Sequence, residues 1–213
     1  MNNLTSSKIK IISGLEISEK DLREAIILDF AVYAIDDSVQ FTIEKCIKWH
    51  NTNPFVYFML KDIEKDEIVG YVNMAPVTKD CYEMILSGQF WDIDIPDNLV
   101  LPYENPGLYY LNFTSVVIHP DYRSAYMILK LIDAIAIKLI ELQDRGIYIK
   151  SMIADALTEE GERFCQLFGM KKIIESGHQS KIYQVTFLPP NFTKLTKAFS
   201  RLFELYQKYK TED

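Results

Sequence analysis

A mixed α/β (α+β) domain followed by a C-terminal helix is the fold class that the sequence predicts, and three observations predict it. Runs rich in β-branched and aromatic residues, which favour strands, alternate with stretches whose apolar residues recur at helical spacing. The chain has 213 residues, 48% of them hydrophobic, which is enough for one sizeable core. The last part carries apolar residues at alternating spacings of three and four. We therefore expect a domain at residues 1–190 and an amphipathic helix within residues 191–213.

The N-terminal third predicts a strand, two helices and a hairpin. Residues 8–12 have strand composition, and Ser18 supplies a side-chain oxygen that can cap a helix start. The helix that follows has one largely apolar face, formed by Leu22, Ala25, Ile26, Asp29, Phe30 and Tyr33. A second, shorter helix is expected to follow a cap at Ser38. Residues 55–60 and 68–74 then predict an antiparallel hairpin, because a short charged connection joins two strand-like runs.

An insertion is predicted at residues 79–107. It begins with a short helical piece that Gly88 stops, and it continues as an irregular stretch with three prolines and the acids Asp92, Asp94, Asp97 and Glu104. Long irregular connections are uncommon in compact domains and often serve as lids or binding elements. The insertion is therefore either a lid over a site or a surface segment without a role.

The central prediction is a strand, a tight turn and a helix at residues 108–145. Residues 108–118 form an apolar, aromatic and β-branched run that ends at His119-Pro120, because proline cannot donate to a strand ladder. An almost wholly apolar helical pattern follows from Arg123, and it predicts a helix buried on most sides. This joint points the unpaired N–H groups of the helix start past the end of the strand, where they can bind an anion. The same joint also occurs as an ordinary crossover in α/β domains.

The C-terminal part predicts three more strands and two helices. Residues 147–154 carry little polarity, which indicates a central strand, and Thr158 caps a helix that Gly169 ends. Two final strands are predicted at 170–174 and 181–187. The tail helix then runs over residues 192–210, and it either docks on its own domain or forms a homodimer contact.

Composition excludes several classes of function. The net charge of -7 argues against nucleic-acid binding, and no apolar run is long enough to span a membrane. Cys46, Cys81 and Cys165 are scattered, which indicates reduced thiols and a cytoplasmic protein. The histidines are also scattered and show no metal-ligand spacing, so no metal site is expected.

The order of predicted elements over residues 8–187 resembles the GNAT superfamily of N-acetyltransferases. The segment HPDYR, residues 119–123, is similar to the turn that precedes the family's coenzyme-binding helix. Residues 156–170 resemble the family's fourth helix, which ends in a glycine and a large apolar residue, here Gly169 and Met170. The resemblance implies a mixed, mostly antiparallel central sheet flanked by helices. It also implies transfer of an acetyl group from acetyl-CoA to an amine of a small molecule or peptide.

The resemblance also implies a coenzyme site. The pantetheine arm would bind the backbone of the central strand, and the pyrophosphate would bind the start of the following helix. The corresponding residues are Val116, Val117, Ile118, Arg123, Ser124, Ala125, Tyr126, Met127 and Ile128. The family's phosphate loop resembles R-x-x-G-x-G/A, and this chain has Tyr126 and Ile128 where small residues are usual. The alternative is therefore a GNAT-fold binding or regulatory module that does not bind the coenzyme.

Three residues are predicted to take part in catalysis: Cys165, Asn112 and Tyr126. The position of the family's tyrosine acid falls on Cys165, which can serve as the acid or can be a small buried apolar residue; Tyr126 and Tyr148 are the substitutes. Asn112 and Thr114 are expected to contact the acceptor, and an oxyanion donor is expected from the strand backbone near Ser115 or Val116. The base is either a carboxylate that acts through water or absent. The acidic insertion favours a cationic amine if it folds over the site, although solvated surface charge explains these acids equally well.

Overall fold

The computed structural model describes residues 8–33, 39–90, 94–177 and 179–209. The predicted cap at Ser38 and the predicted insertion acid Asp92 lie outside these ranges, as does His178.

Strands and helices alternate in the order that the sequence predicts. The described strands are β1 (Ile9–Ser13), β2 (Tyr57–Asp62), β3 (Glu67–Val77), β4 (Gly107–Ile118), β5 (Ile147–Ala156), β6 (Lys171–Glu175) and β7 (Lys181–Thr186). The described α-helices are α1 (Glu19–Tyr33), α2 (Val39–Thr52), α3 (Lys79–Leu86), α4 (Ala125–Gln143), α5 (Glu159–Phe168) and α6 (Lys197–Gln207).

The strands form one sheet in the order β1-β2-β3-β4-β5-β7-β6. The pairs β1–β2, β2–β3, β5–β7 and β6–β7 are antiparallel, and β4–β5 is parallel. The predicted mixed, mostly antiparallel sheet flanked by helices is therefore confirmed. In the described ranges no helix combines the length and the apolarity that a bilayer crossing requires.

The chain divides into two compact units, each with its own apolar core. The first unit comprises the described residues within 1–73 and 115–131, and the second comprises those within 74–114 and 132–213. The strands β3 and β4 and the helix α4 contribute residues to both units.

In the first unit, a reciprocal pair of hydrogen bonds starts α1. The Asp21 N–H donates to the Ser18 hydroxyl at 3.2 Å, and the Ser18 N–H donates to the Asp21 carboxylate at 2.9 Å. Each bond satisfies a donor that the first helical turn leaves unpaired, as in a capping box. Asp21 is buried and also accepts from Lys61 Nζ at 2.8 Å. The predicted helix start at Ser18 is therefore confirmed, and the acid of the first turn anchors α1 to β2.

In the second unit, α5 has the two ends that the sequence predicts. The Thr158 hydroxyl accepts from the Gly161 N–H at 3.1 Å, and Gly169 ends the helix in the left-handed region with φ of 88°. Gly169 is also tightly surrounded, since a Cβ atom there would lie 2.7 Å from Thr193 Oγ1. A side chain at this position would therefore meet both backbone strain and a steric clash.

The tail helix α6 is shorter than predicted and docks on its own unit. It starts after Thr196, whose hydroxyl accepts from the Phe199 N–H at 3.2 Å, so Phe192 precedes the helix. Leu202 and Phe199 are fully buried, and the Ile149 N–H donates to the Tyr206 hydroxyl at 3.0 Å. The face with heptad-like spacing thus packs inside the second unit, and a homodimer stays a prediction.

The helix α4 is less buried than its composition predicts. It starts at Ala125, and Tyr126, Leu129 and Ile137 are 51%, 37% and 51% exposed. The prediction of a helix buried on most sides is therefore confirmed only in part, because these three apolar side chains face solvent. A helix that packs on one layer of a fold keeps one face in solvent, and here that face includes apolar side chains.

Candidate functional site

The C-terminal segment of β4 continues beyond its ladder with β5. The parallel ladder runs from Gly107 to Phe113, whose partner is Ala154, and the rest of β5 pairs with β7. The last five residues of β4, 114–118, have no described ladder partner in β5. Ser115 and Val116 are half-buried at this point. A strand segment of this kind offers backbone N–H and C=O groups to an extended ligand.

The turn after β4 is anchored through its tyrosine. The buried Tyr122 hydroxyl donates to the Asp62 carboxylate at 2.8 Å, and it accepts from Lys65 Nζ at 2.8 Å. The His119 Nδ1 atom accepts from the Asp121 N–H at 3.2 Å. The two bonds of Tyr122 fix the HPDYR turn to the β2–β3 hairpin, and the His119 bond stabilises the turn itself. Its tyrosine is a structural anchor, and the next residue is the one that faces outward.

Arg123 occupies the junction between the turn and α4. Its Nε atom donates to the Ile118 carbonyl oxygen at 3.0 Å, and the side chain is exposed. In the described part of the chain no carboxylate pairs with its guanidinium. The bond to Ile118 therefore fixes one edge of the guanidinium at the end of β4, and its remaining N–H groups can bind an anion.

The first turn of α4 adds backbone donors to this cation. The Ser124 hydroxyl accepts from the Met127 N–H, and the Ser124 carbonyl accepts from the Ile128 N–H, both at 3.3 Å. The N–H groups of Ala125 and Tyr126 precede the first bonded turn, and both residues are exposed. The helix dipole is positive at this end, so the turn favours an anion.

Tyr126 and Ile128 stand where the GNAT phosphate loop usually has small residues, but their side chains do not cover the N–H groups of this turn. The Tyr126 ring lies 5.7 Å from Lys130 Nζ, one turn further along α4, which directs the ring toward the following turn. Met127 is buried and Ile128 is half-buried, so both pack into the unit. All nine residues of the predicted coenzyme site lie in the first unit.

A half-buried acid that the sequence predictions did not single out as a site residue lies beside the end of β4. The Asp29 Oδ1 atom, on α1, accepts from the Tyr71 hydroxyl at 2.7 Å and from the Ser115 hydroxyl at 2.8 Å. We call Asp29, Tyr71 and Ser115 the Asp29 cluster. Burial raises the pKa of Asp29 and outweighs these two hydrogen bonds, which act to lower it.

One helical turn further on, Tyr33 binds the next residue of β4. Its hydroxyl donates to the Val116 carbonyl oxygen at 3.2 Å. Consecutive turns of α1 therefore contact consecutive residues of β4, first through Asp29 and then through Tyr33. The sequence did contain a signal for Asp29 itself, because it is a carboxylate within an otherwise largely apolar helix face.

Two of the predicted catalytic residues lie in the second unit. Asn112 is fully buried, its Nδ2 donates to Thr114 Oγ1 at 3.3 Å, and its Oδ1 has no described partner. Cys165 is buried in α5, and burial raises the pKa of its thiol to about 12, with the charges of Glu162 and Asp155 acting in the same direction. The third residue, Tyr126, lies in the first unit with the predicted coenzyme residues. The roles of all three stay predictions.

Tyr148, the predicted substitute for the acid, belongs to the packing of the tail. Its ring lies 5.5 Å from that of Tyr206 and 4.4 Å from that of Tyr209, and its hydroxyl accepts from Gln143 Nε2 at 3.1 Å.

The described part of the insertion is anchored in the second unit. The Leu101 N–H donates to the Pro76 carbonyl at 2.8 Å, and Arg145 donates to the Tyr103 carbonyl at 2.6 Å. Ile95 is fully buried. These contacts hold residues 95–103 as a packed segment of the unit. A role of the insertion as a lid stays a prediction.

Comparisons with known proteins identify the fold. No protein-family model matches the sequence, and no curated protein matches it. Solved structures, in contrast, match this chain. An acetyltransferase of the GNAT family from Staphylococcus aureus Mu50 aligns with a TM-score of 0.53 at 12% identity, over 83% of this chain and 97% of that chain. The NatC complex bound to Gag peptide and CoA gives 0.52 at 10% identity, over 83% and 96%. An AtaT toxin variant bound to the AtaR C-terminus and acetyl-CoA gives 0.51 at 12% identity, over 92% and 98%.

At these identities the likeness establishes the fold. The chain has the fold of the GNAT acetyltransferases, and the fold that the order of predicted elements implied is confirmed.

Proposed function

We propose that this GNAT-fold chain transfers an acetyl group from acetyl-CoA to an amine of a small molecule or peptide. One observation carries the proposal. The segment of β4 beyond the β5 ladder leads directly into an exposed helix start with Arg123 beside it. An extended ligand that ends in phosphates matches an open strand edge followed by an anion site.

The coenzyme would bind along this path. The backbone of Val116, Val117 and Ile118 would hold the amide groups of the pantetheine arm. The pyrophosphate would accept hydrogen bonds from the first turn of α4 and from Arg123. The orientation of the Tyr126 ring toward Lys130 supports this placement, because it leaves the N–H groups of the turn accessible. Two of the structures with this fold were solved with CoA or acetyl-CoA.

Acetyl transfer needs a neutral amine, a positioned thioester and a proton for the departing thiolate. Cys165 is the proposed proton donor, because it occupies the position of the family's tyrosine acid; burial, which raises its pKa to about 12, keeps the thiol protonated at neutral pH and also makes it a weak acid. Asn112 is proposed to contact the acceptor through its Oδ1 atom, which has no described partner. Tyr126 is the alternative donor beside the coenzyme.

The competing function is a binding or regulatory module that uses the fold without the coenzyme. Tyr126 and Ile128 favour it, because the GNAT phosphate loop usually has small residues at these positions. The two functions differ in one measurable property, which is affinity for the coenzyme and its dependence on the phosphates.

The test is calorimetric titration of the full chain with acetyl-CoA, dephospho-CoA and pantetheine. We expect micromolar binding of acetyl-CoA, about −8 kcal/mol, and markedly weaker binding of pantetheine, which has no pyrophosphate. Equal affinity for acetyl-CoA and pantetheine would contradict the placement of the pyrophosphate at the start of α4. No detectable binding of acetyl-CoA would overturn the enzyme proposal in favour of the binding module.

A further inference from the structure

The two oxygens of the Asp29 carboxylate have different surroundings. Both hydroxyl donors of the Asp29 cluster bind Oδ1. Oδ2 has no described hydrogen bond, and it is not among the buried side-chain oxygens without a partner, so it is at least partly open to solvent. A carboxylate can accept about four hydrogen bonds. One oxygen therefore fixes the side chain, and the other can bind a ligand.

The chemistry of that ligand follows from comparison with Asp21, two turns earlier on the same helix. Asp21 is buried, and Lys61 Nζ neutralises it at 2.8 Å. Asp29 contacts only neutral hydroxyl groups, and no cation pairs with it in the described part of the chain. A half-buried carboxylate without a cation is suited to bind one from solution, and a primary ammonium group is a compact cation with three donors.

The Asp29 cluster lies next to the part of β4 that is proposed to bind the coenzyme, so an ammonium group bound there would lie near the thioester. Ser115 immediately precedes the segment 116–118, which is proposed to hold the pantetheine arm. Tyr33 holds the carbonyl of Val116 from the next turn of α1. A group bound at Asp29 Oδ2 therefore lies beside the strand residue at which a thioester on that arm would begin.

We propose that Asp29 binds the ammonium group of the acceptor and takes its proton. This inference rests on the proposed acetyltransferase function. The Asp29 carboxylate removes one proton from the ammonium, and the neutral nitrogen attacks the thioester carbonyl carbon. A C–N bond forms and the C–S bond breaks. The attacking nitrogen loses its second proton, the thiolate leaves with the electron pair and gains a proton in exchange, and Asp29 later returns its own proton to solvent.

The described groups that surround Asp29 stay neutral near pH 7, so Asp29 is the one among them whose charge changes at lower pH. Tyr71 faces it from β3, Ser115 from β4, and the charge of Asp29 also acts on Tyr57 of β2 and Cys46 of α2. Burial raises the pKa of both tyrosines well above the usual value, and it raises the pKa of Cys46 to about 11. All four neighbours are therefore neutral near pH 7. Burial also raises the pKa of Asp29, which makes it a stronger base.

The experiment measures acetyl-CoA binding and acetyl transfer separately in Asp29→Asn, which has the same shape and lacks the base. Thiol release from acetyl-CoA is followed with spermidine, kanamycin and N-α-acetyl-lysine amide as probes. We expect coenzyme affinity within about twofold of the wild type and kcat/KM reduced by about 10²-fold or more, in the range for loss of a general base. The acidic limb of the kcat/KM profile should disappear.

A second variant tests the same role without removing the base. Tyr71→Phe removes a hydrogen bond that lowers the pKa of Asp29, so the acidic limb should move to higher pH. Asp21→Asn is the matched control, since it removes a buried acid from the same helix and should leave the limb in place.

Each outcome decides a different claim. Absence of acetyl-CoA binding by the wild type overturns the proposed function, and this inference falls with it. Normal coenzyme binding with an unchanged rate and pH profile in Asp29→Asn overturns the role of Asp29 alone. Coenzyme binding without transfer to any of the three probes overturns the assignment of primary ammonium groups as the acceptor class.

Discussion

The Tyr33 hydroxyl donates a hydrogen bond to the main-chain carbonyl oxygen of Val116, 3.2 Å away. The bond joins the last described turn of α1 to β4 beyond its ladder with β5. It occupies one of the two lone pairs of that carbonyl, so the second remains available to a ligand. The bond therefore positions the strand without blocking the edge that is proposed to bind the coenzyme.

Replacement of Tyr33 by phenylalanine should lower stability and leave coenzyme affinity unchanged. Loss of this bond should reduce the free energy of unfolding by about 1 kcal/mol. Urea unfolding measures it, and Tyr109→Phe is the control, because that hydroxyl bonds the Asn105 carbonyl at 3.0 Å at an exposed position. Equal losses in the two variants would show that the bond to Val116 has no special role.

Arg123→Ala should weaken acetyl-CoA binding about tenfold, which corresponds to about 1.4 kcal/mol. Pantetheine binding should not change, because pantetheine has no pyrophosphate. Titration calorimetry with both ligands tests this. Arg163→Ala removes another exposed arginine, paired with Glu159 on α5, and serves as the control. Unchanged acetyl-CoA affinity in Arg123→Ala would contradict the placement of the pyrophosphate.

The two acids of α1 should affect stability in opposite directions. Burial acts to raise the pKa of Asp21, but hydrogen bonds from Lys61 and Ser18 outweigh it and leave the pKa below the usual value of 3.8. Its stabilising effect is present above that value and is lost as the pH falls through the folded-state pKa. The pKa of Asp29 is raised, so its ionisation reduces stability as the pH rises from 3.8 through the folded-state pKa.

At pH 7 we therefore expect Asp21→Asn to reduce the free energy of unfolding by about 2 kcal/mol, through loss of charged hydrogen bonds. Asp29→Asn should leave it unchanged or raise it. Urea unfolding at pH 7 compares the two variants directly. A large loss of stability in Asp29→Asn would show that its carboxylate is a structural group.

Cys165→Ala should reduce kcat by about 10²-fold and leave acetyl-CoA affinity unchanged if the thiol is the proton donor. Burial keeps that thiol protonated at neutral pH, since it raises the pKa to about 12. Cys81→Ala also removes a buried thiol and should affect stability without affecting kcat. Steady-state kinetics and calorimetry separate the two effects. Full activity in Cys165→Ala would assign this residue to the apolar core.

Tyr206→Phe should destabilise the second unit by about 2 kcal/mol, because the buried Ile149 N–H would lose its acceptor. Tyr209→Phe is the matched control, since Tyr209 is less buried and contacts Tyr148 through its ring. Thermal unfolding of both variants provides the comparison. Similar melting temperatures for Tyr206→Phe and the wild type would show that the tail helix is held by its apolar residues alone.

Local signals predicted the fold well. Ser18, Thr158 and Gly169 mark helix ends through their own side chains or backbone preferences, and the structure confirms all three. Competition between such signals explains the main error in the tail. Phe192 fits the apolar spacing, but Thr196 provides the cap, so the helix begins five residues later than the spacing suggests.

The candidate site was harder to predict, because its contacts join residues that are distant in sequence. Asp29 meets Tyr71 and Ser115 across 42 and 86 positions, and one sequence contains no signal that pairs them. The orientation of Tyr126 is another example. The ring lies near Lys130, which also donates to the Ile9 carbonyl at 2.6 Å. The composition of residues 123–128 therefore could not decide which way the Tyr126 ring points.

Two independent structural constraints act on Gly169, and each can be lost without the other during evolution. Its left-handed backbone ends α5, and the space that a Cβ atom would need is taken by Thr193 of the segment leading to α6. A lineage that lost the tail would relax only the second constraint, and asparagine could then replace the glycine. Among related sequences, strict retention of glycine here would therefore mark the chains whose tail is docked, before any of their structures is known.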